Sequence, residues 1–176
     1  MKNWEGEEVN NKIDNRIMDS DKWPNLQLSE NLELLNELAD ESFSTQTVSG
    51  MLASTLMYHQ IIEAMCLHLL ENCHFQIQLA VYPAMIDFSI KENKMLGSYI
   101  QELKNSISFH KKDEFIKYVT NFNNIRNDLI HKMRKNNPEV IFEKTKNIKQ
   151  IFNEIFELYD EIQGDFRVVF HSFKKD

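Results

Sequence analysis

Chain breakers are scarce in this sequence, with four Gly and three Pro in 176 residues. So few interruptions predict long, continuous helices. Cysteine is nearly absent too: Cys66 and Cys73 are the two it has. On one helix they lie roughly 10 Å apart along the axis, at about 1.5 Å per residue. That spacing excludes a disulfide between them, and both read as reduced core thiols. No run of 18 apolar residues occurs, which excludes a membrane-spanning helix. Met1 to Ser20 is polar and acidic, so no signal peptide and a cytoplasmic location are expected. A positive balance is lacking as well. The net charge of −7 argues against indiscriminate nucleic-acid binding. There is no Gly-rich phosphate loop and no Ser or Cys nucleophile signature. His59, Cys66, His68, Cys73 and His74 are metal-ligand types without a recognised zinc spacing, and they read as packed core residues. No metal and no cofactor is expected.

What is present is apolar bulk in helical register. Hydrophobic residues make up 42% of the chain, with twelve Phe and eight Met. That is enough for one domain with a real core. Residues 1–28 read as a polar arm, with Trp23-Pro24 as the point where it docks. Ser29 is the expected N-cap of a helix through Asp40 or Phe43, striped by Leu32, Leu35 and Leu38. A long helix is expected from about Thr47 to Asn72, with Val48, Leu52, Leu56, His59, Ile62, Cys66 and Leu69 at steps of three and four. Residues 74–92 alternate instead (Phe75, Ile77, Leu79, Val81) and contain Pro83. They read as an irregular insertion that carries a short strand at most. Leu96–Leu103 reads as a short helix. Asp113–Lys135 is a strong one, ended by Asn136-Asn137-Pro138. Residues 139–163 form the last long helix, with Gly164 as its C-cap and 164–176 as a tail. The sum is all-α: an antiparallel four- to five-helix bundle over 29–163 with one insertion.

Two charges fall on apolar stripes. On a wheel of 100° per residue, Arg126 lies about 20° from Phe115, between Phe122 and Leu129. Glu63 lies about 20° from Leu52, among His59, Ile62 and Cys66. A lone charge in a core is costly, so Glu63 and Arg126 are expected to meet across the two helices. Charge is also segregated along the chain. Met1–Ser42 carries four basic and eleven acidic residues, whereas Arg126–Lys149 carries seven basic and three acidic ones. A local basic footprint of this kind can steer a polyanion, although charge runs are most often solvated helix faces.

Arg126-Asn127-Asp128-Leu129-Ile130-His131 opens that basic segment. Arg is a permanent, fork-shaped phosphate binder, and His exchanges protons near neutral pH. Together they suit metal-free phosphodiester cleavage. The five-residue step, however, sets His131 about 140° from Arg126 on a regular helix. The two groups converge only if the helix distorts or if two copies of the chain share one site. Otherwise Arg126 is architectural and His131 is a surface or capping residue. A second pair, Arg167 and His171, lies in the expected tail and carries little weight.

The Arg-x4-His segment on a penultimate long helix resembles the HEPN family (higher eukaryotes and prokaryotes nucleotide-binding domain). Its signature is Arg, about four to six residues, then His, often with a polar residue directly after the Arg, a place filled here by Asn127. Tyr58-His59-Gln60-Ile61-Ile62-Glu63 resembles the family's preceding helix, with Glu63 as the inward acid. The polar arm and the 74–92 insertion depart from the common pattern. The resemblance implies a metal-independent endoribonuclease of a toxin or defence type, acting on RNA as a homodimer. Such a protein has an antitoxin or defence-system protein as partner. His131 would be the general acid/base and Arg126 would stabilise the scissile phosphate. Asn127 would position, Glu63 would orient Arg126, and Lys132, Arg134 and Lys135 would hold the RNA backbone. Other members of the family are non-catalytic modules for protein or nucleotide binding and dimerisation, and they can keep a similar Arg for packing.

Overall fold

The computed structural model describes residues 15–24, 30–86, 88 and 94–173. Five α-helices account for most of them: α1 (Glu30–Ser44), α2 (Val48–Val81), α3 (Leu96–Asn105), α4 (Lys112–His131) and α5 (Pro138–Phe173). No strand occurs among the described residues. The protein is an all-α, multi-helix bundle, and no helix among the described residues is long and apolar enough to cross a membrane.

The corner between α1 and α2 shows how local chemistry sets the path. Gln46 turns the chain with a positive φ of 53°, the left-handed geometry that commonly ends helices. Thr47 caps α2 by accepting from the Gly50 N–H at 3.1 Å. The helices approach so closely here that a Cβ on Gly50 would sit 2.4 Å from the Ser42 carbonyl oxygen. Only glycine fits. Past the corner, Tyr58 OH donates to Asp40 Oδ1 at 2.6 Å. Lys149 pairs with the same carboxylate and lies over the Tyr58 ring at 4.8 Å, so α1, α2 and α5 are tied together.

Helices α2 and α5 are the spine, each about 50 Å long at 1.5 Å per residue. Their cross-contacts advance in step: Tyr58 with Phe152, His68 with Tyr159, Asn72 with Gln163, Phe75 with Phe170. The two therefore run parallel, so the bundle is not antiparallel throughout, contrary to expectation. Helix α4 lies antiparallel to α5: Asp128 pairs with Lys144 near their corner, while Lys111, just before α4, pairs with Glu161. The core between them holds Met65, Leu69, Phe115, Val119, Phe122, Ile148, Phe152 and Ile155, all essentially inaccessible.

Three further expectations need correcting. First, α2 continues through residues 74–81, where an irregular insertion was expected. Leu70, Cys73, Phe75 and Leu79 are buried there because α3, α5 and Trp23 surround the helix. A helix covered on several sides loses its one-sided period. The irregular part is residues 82–86, and much of 87–93 lies outside the described residues. Second, Gly164 does not cap α5, which runs on to Phe173. A mid-helix glycine costs about 1 kcal/mol, and the packing of Phe166 and Phe170 beyond it outweighs that. Arg167 and His171 thus sit on a helix, not in a tail. Third, α4 stops at His131, and Met133–Lys135 form a separate 3-10 turn. The expected cap at Ser29 lies outside the described residues. Trp23 does dock the arm: its ring packs on Phe75 at 5.9 Å and Phe170 at 6.0 Å, and its Nε1 donates to the Ile17 carbonyl at 3.0 Å.

Candidate functional site

Arg126 lies half-buried on α4 between the buried Phe122 and Leu129, facing α2. Its Nη1 donates to Asn127 Oδ1 at 2.9 Å. Its Nε is buried and has no hydrogen-bond partner. Arg126 acts electrostatically on both His59 and Glu63 of α2. The expected meeting of Glu63 and Arg126 is therefore a matter of neighbourhood, not of contact. The Glu63 carboxylate instead accepts the Leu96 N–H, one of the first amides of α3. Met95, the N-cap of α3, supplies no side-chain cap, and the Glu63 carboxylate lies beside this helix N-terminus.

His59 stands one turn before Glu63, with Nε2 3.6 Å from Glu63 Oε1. Burial, assisted by the positive charge of Arg126, drops its pKa to about 4. The imidazole is thus neutral near pH 7, and the contact with Glu63 is polar, not an ion pair. Burial likewise pushes the Glu63 carboxyl up, against the pull of the Leu96 N–H and Arg126. Sequence reasoning had set His59 aside as core packing. Its signal was positional: His59 and Glu63 are one turn apart on the face that meets Arg126.

His131 is placed differently. It occupies the last turn of α4 and is exposed. The helix is unbroken from Arg126 to His131, so the five-residue step keeps the two side chains on different faces. Distortion within the motif, one of two routes to convergence, does not occur. Asp128, between them, pairs with Lys132 at 2.5 Å and with Lys144 of α5. Those hydrogen bonds hold its carboxyl down at about 2.

Four lysines of the basic segment are paired within the chain, on three carboxylates. Lys132 and Lys144 share Asp128, Lys146 lies 3.6 Å from Glu143, and Lys149 pairs with Asp40. Arg134 and Lys135, on the exposed 3-10 turn, have no carboxylate partner among the described residues. Of the seven cations counted in sequence, these two keep an unshared charge at the surface. Cys66 and Cys73 are free and buried, and burial pushes the Cys73 thiol up to about 11. Among the described residues, no three His, Cys, Asp or Glu side chains are placed to hold a metal ion.

Comparison with protein-family models, with curated proteins and with solved structures finds no match to this chain.

Proposed function

We propose that this chain is a non-catalytic, HEPN-like helical module that works through protein or nucleotide binding and dimerisation. The observation that carries this reading is the separation of Arg126 from His131. Arg126 is turned toward His59 and Glu63 and bonded to Asn127, while His131 is exposed on another face of α4. On an unbroken helix the five-residue step directs the two side chains of one copy to different faces. The pairing of Lys132 with Asp128 further reduces the cationic surface available to RNA. The test is incubation with RNA in EDTA. The module leaves RNA intact, and His131→Ala changes neither RNA nor stability, whereas Arg126→Ala weakens the fold. Metal-free cleavage that His131→Ala abolishes would overturn this reading.

One observation favours the second reading, a metal-independent endoribonuclease of toxin or defence type. His131 is exposed immediately ahead of the unshared charges of Arg134 and Lys135. In a homodimer, two such ends facing each other would gather His131 and basic side chains around one strand. His131 would then take the ribose 2′-OH proton while Arg126 balances charge on the phosphate. The 2′-oxygen displaces the 5′-oxygen, which takes a proton from the imidazolium of the second copy's His131, leaving a 2′,3′-cyclic phosphate and a 5′-hydroxyl. In that reading the partner is an antitoxin or a defence-system protein, and the setting is cytoplasmic.

A further inference from the structure

We propose that the arm at residues 15–24 and residues 85, 86 and 88 after α2 together form a binding pocket for a small planar aromatic anion. The cavity between them measures about 470 Å³, within the usual range for small-molecule sites. It joins pieces far apart in sequence: Arg16 and Trp23 from the arm, His74 and Phe75 from α2, and Phe88 after α2. The pocket is remote in sequence from the Arg126–His131 motif and does not depend on its role.

Four features define the ligand. The walls are aromatic, since Trp23, Phe75 and Phe88 all line the cavity. Flat rings pack on such surfaces better than aliphatic groups do. The rim is held in place. Gln78 Nε2 donates to the Ala84 carbonyl at 2.8 Å, and its Oε1 accepts the Ile86 N–H at 3.0 Å. This clamp leaves Met85 and Ile86 lining the cavity while 51% and 37% exposed, apolar surface that a ring would cover.

The remaining two features are polar. The Arg16 guanidinium lies over the Phe75 ring at 5.6 Å and has no carboxylate partner among the described residues. Lys22 and Glu71 also line the cavity; Lys22 is already paired with Asp19 at 3.1 Å, so Arg16 is the cation that an incoming anion would meet. The His74 ring stacks on Phe88 at 4.2 Å, and its Nδ1 is buried without a hydrogen-bond partner. A buried polar atom in that state gains from a ligand's ring-edge donor or acceptor. A carboxylate and a phosphate satisfy Arg16 by the same chemistry.

The test is calorimetric titration of the full chain with four naphthalene probes: 2-naphthoate, 1-naphthyl phosphate, neutral 2-naphthol and cationic 2-naphthylmethylammonium. At least one anion should bind about tenfold more tightly than the neutral ring, a charge-assisted contact's worth, and the cation should bind weakest. The tighter anion names the group. Arg16→Gln should erase the preference, and Phe88→Ala should weaken every ring. Arg167→Gln, at an exposed position outside the cavity lining, should change nothing. Equal binding of neutral and anionic rings, a preference that survives Arg16→Gln, or no binding at millimolar probe overturns the proposal.

Discussion

Lys112 and Arg126 are the two cations of α4 that are not exposed, and they are treated in opposite ways. The Lys112 ammonium donates to the carbonyls of Lys104, Ser106 and Ile107 at 3.1, 2.8 and 3.2 Å. These carbonyls end α3 and begin the turn after it, so one buried side chain satisfies a helix C-terminus. Every proton of that ammonium is used. Arg126 donates from Nη1 to Asn127, while its buried Nε donates to nothing. A cation whose donors are all used by its own chain is fixed architecture. One with an orphan donor retains capacity for another partner, or carries a cost that a second subunit could relieve. The same contrast sets the pocket at Trp23, with its orphan His74 Nδ1, apart from the closed triad of Asp40, Tyr58 and Lys149.

Replacing Lys112 by Met should have the largest effect on this contrast. It removes three charge-assisted hydrogen bonds and strands their carbonyls, for a loss of about 3 kcal/mol. Urea unfolding should show a lower midpoint with an unchanged slope; a shift under about 1 kcal/mol would deny Lys112 its role.

Acid should act next, through His59. Its pKa is about 4 in the fold and 6.5 as an ordinary histidine. Between those values the unfolded chain binds more protons. The stabilisation is therefore complete above the unfolded value and lost as pH falls toward the folded one. The loss is below about 3.5 kcal/mol at 1.36 kcal/mol per pH unit, and it is smaller in practice because the raised Glu63 titrates in the opposite sense. His59→Gln should flatten the stability profile between pH 6.5 and 4. Asp128 acts separately, in the window below the ordinary Asp value of 3.8 and down to about 2. A profile equally steep in the variant would place the acid sensitivity elsewhere.

Tyr58→Phe should be the mildest, removing one hydrogen bond to Asp40 for about 1 kcal/mol. Thermal or urea unfolding of the variant checks it. The Lys149–Asp40 pair survives that change, so a loss as large as that at Lys112 would show that the triad fails as a unit.

The bundle was legible where helices keep one dry face. The steps Leu52, Ile62, Cys66 and Leu69, and Phe115, Val119, Phe122 and Leu129, fall on buried or half-buried positions as periodicity requires, whereas Leu38 and Leu56, also expected on apolar stripes, are exposed. Legibility failed at the distal end of α2, where the arm, α3 and α5 all pack and the alternation of Phe75, Ile77 and Leu79 imitates a strand. The continuation of α5 did carry a signal, since Ile162, Phe166 and Phe170 hold the helical step across Gly164. That stripe outweighs the glycine between its members. At the site, the wheel placed Arg126 and Glu63 on facing helices. It did not place the Leu96 amide that claims Glu63, because such a partner comes from a third element in space.

The central claim is that Arg126 belongs with Glu63 in the fold and not with His131 in a shared site. Double-mutant cycles in urea unfolding test it most directly, pairing Arg126→Ala with Glu63→Gln and, separately, with His131→Ala. The account predicts a coupling of about 0.5–1 kcal/mol for the first pair and none beyond about 0.3 kcal/mol for the second. Coupling of Arg126 to His131 that equals or exceeds its coupling to Glu63 would contradict it.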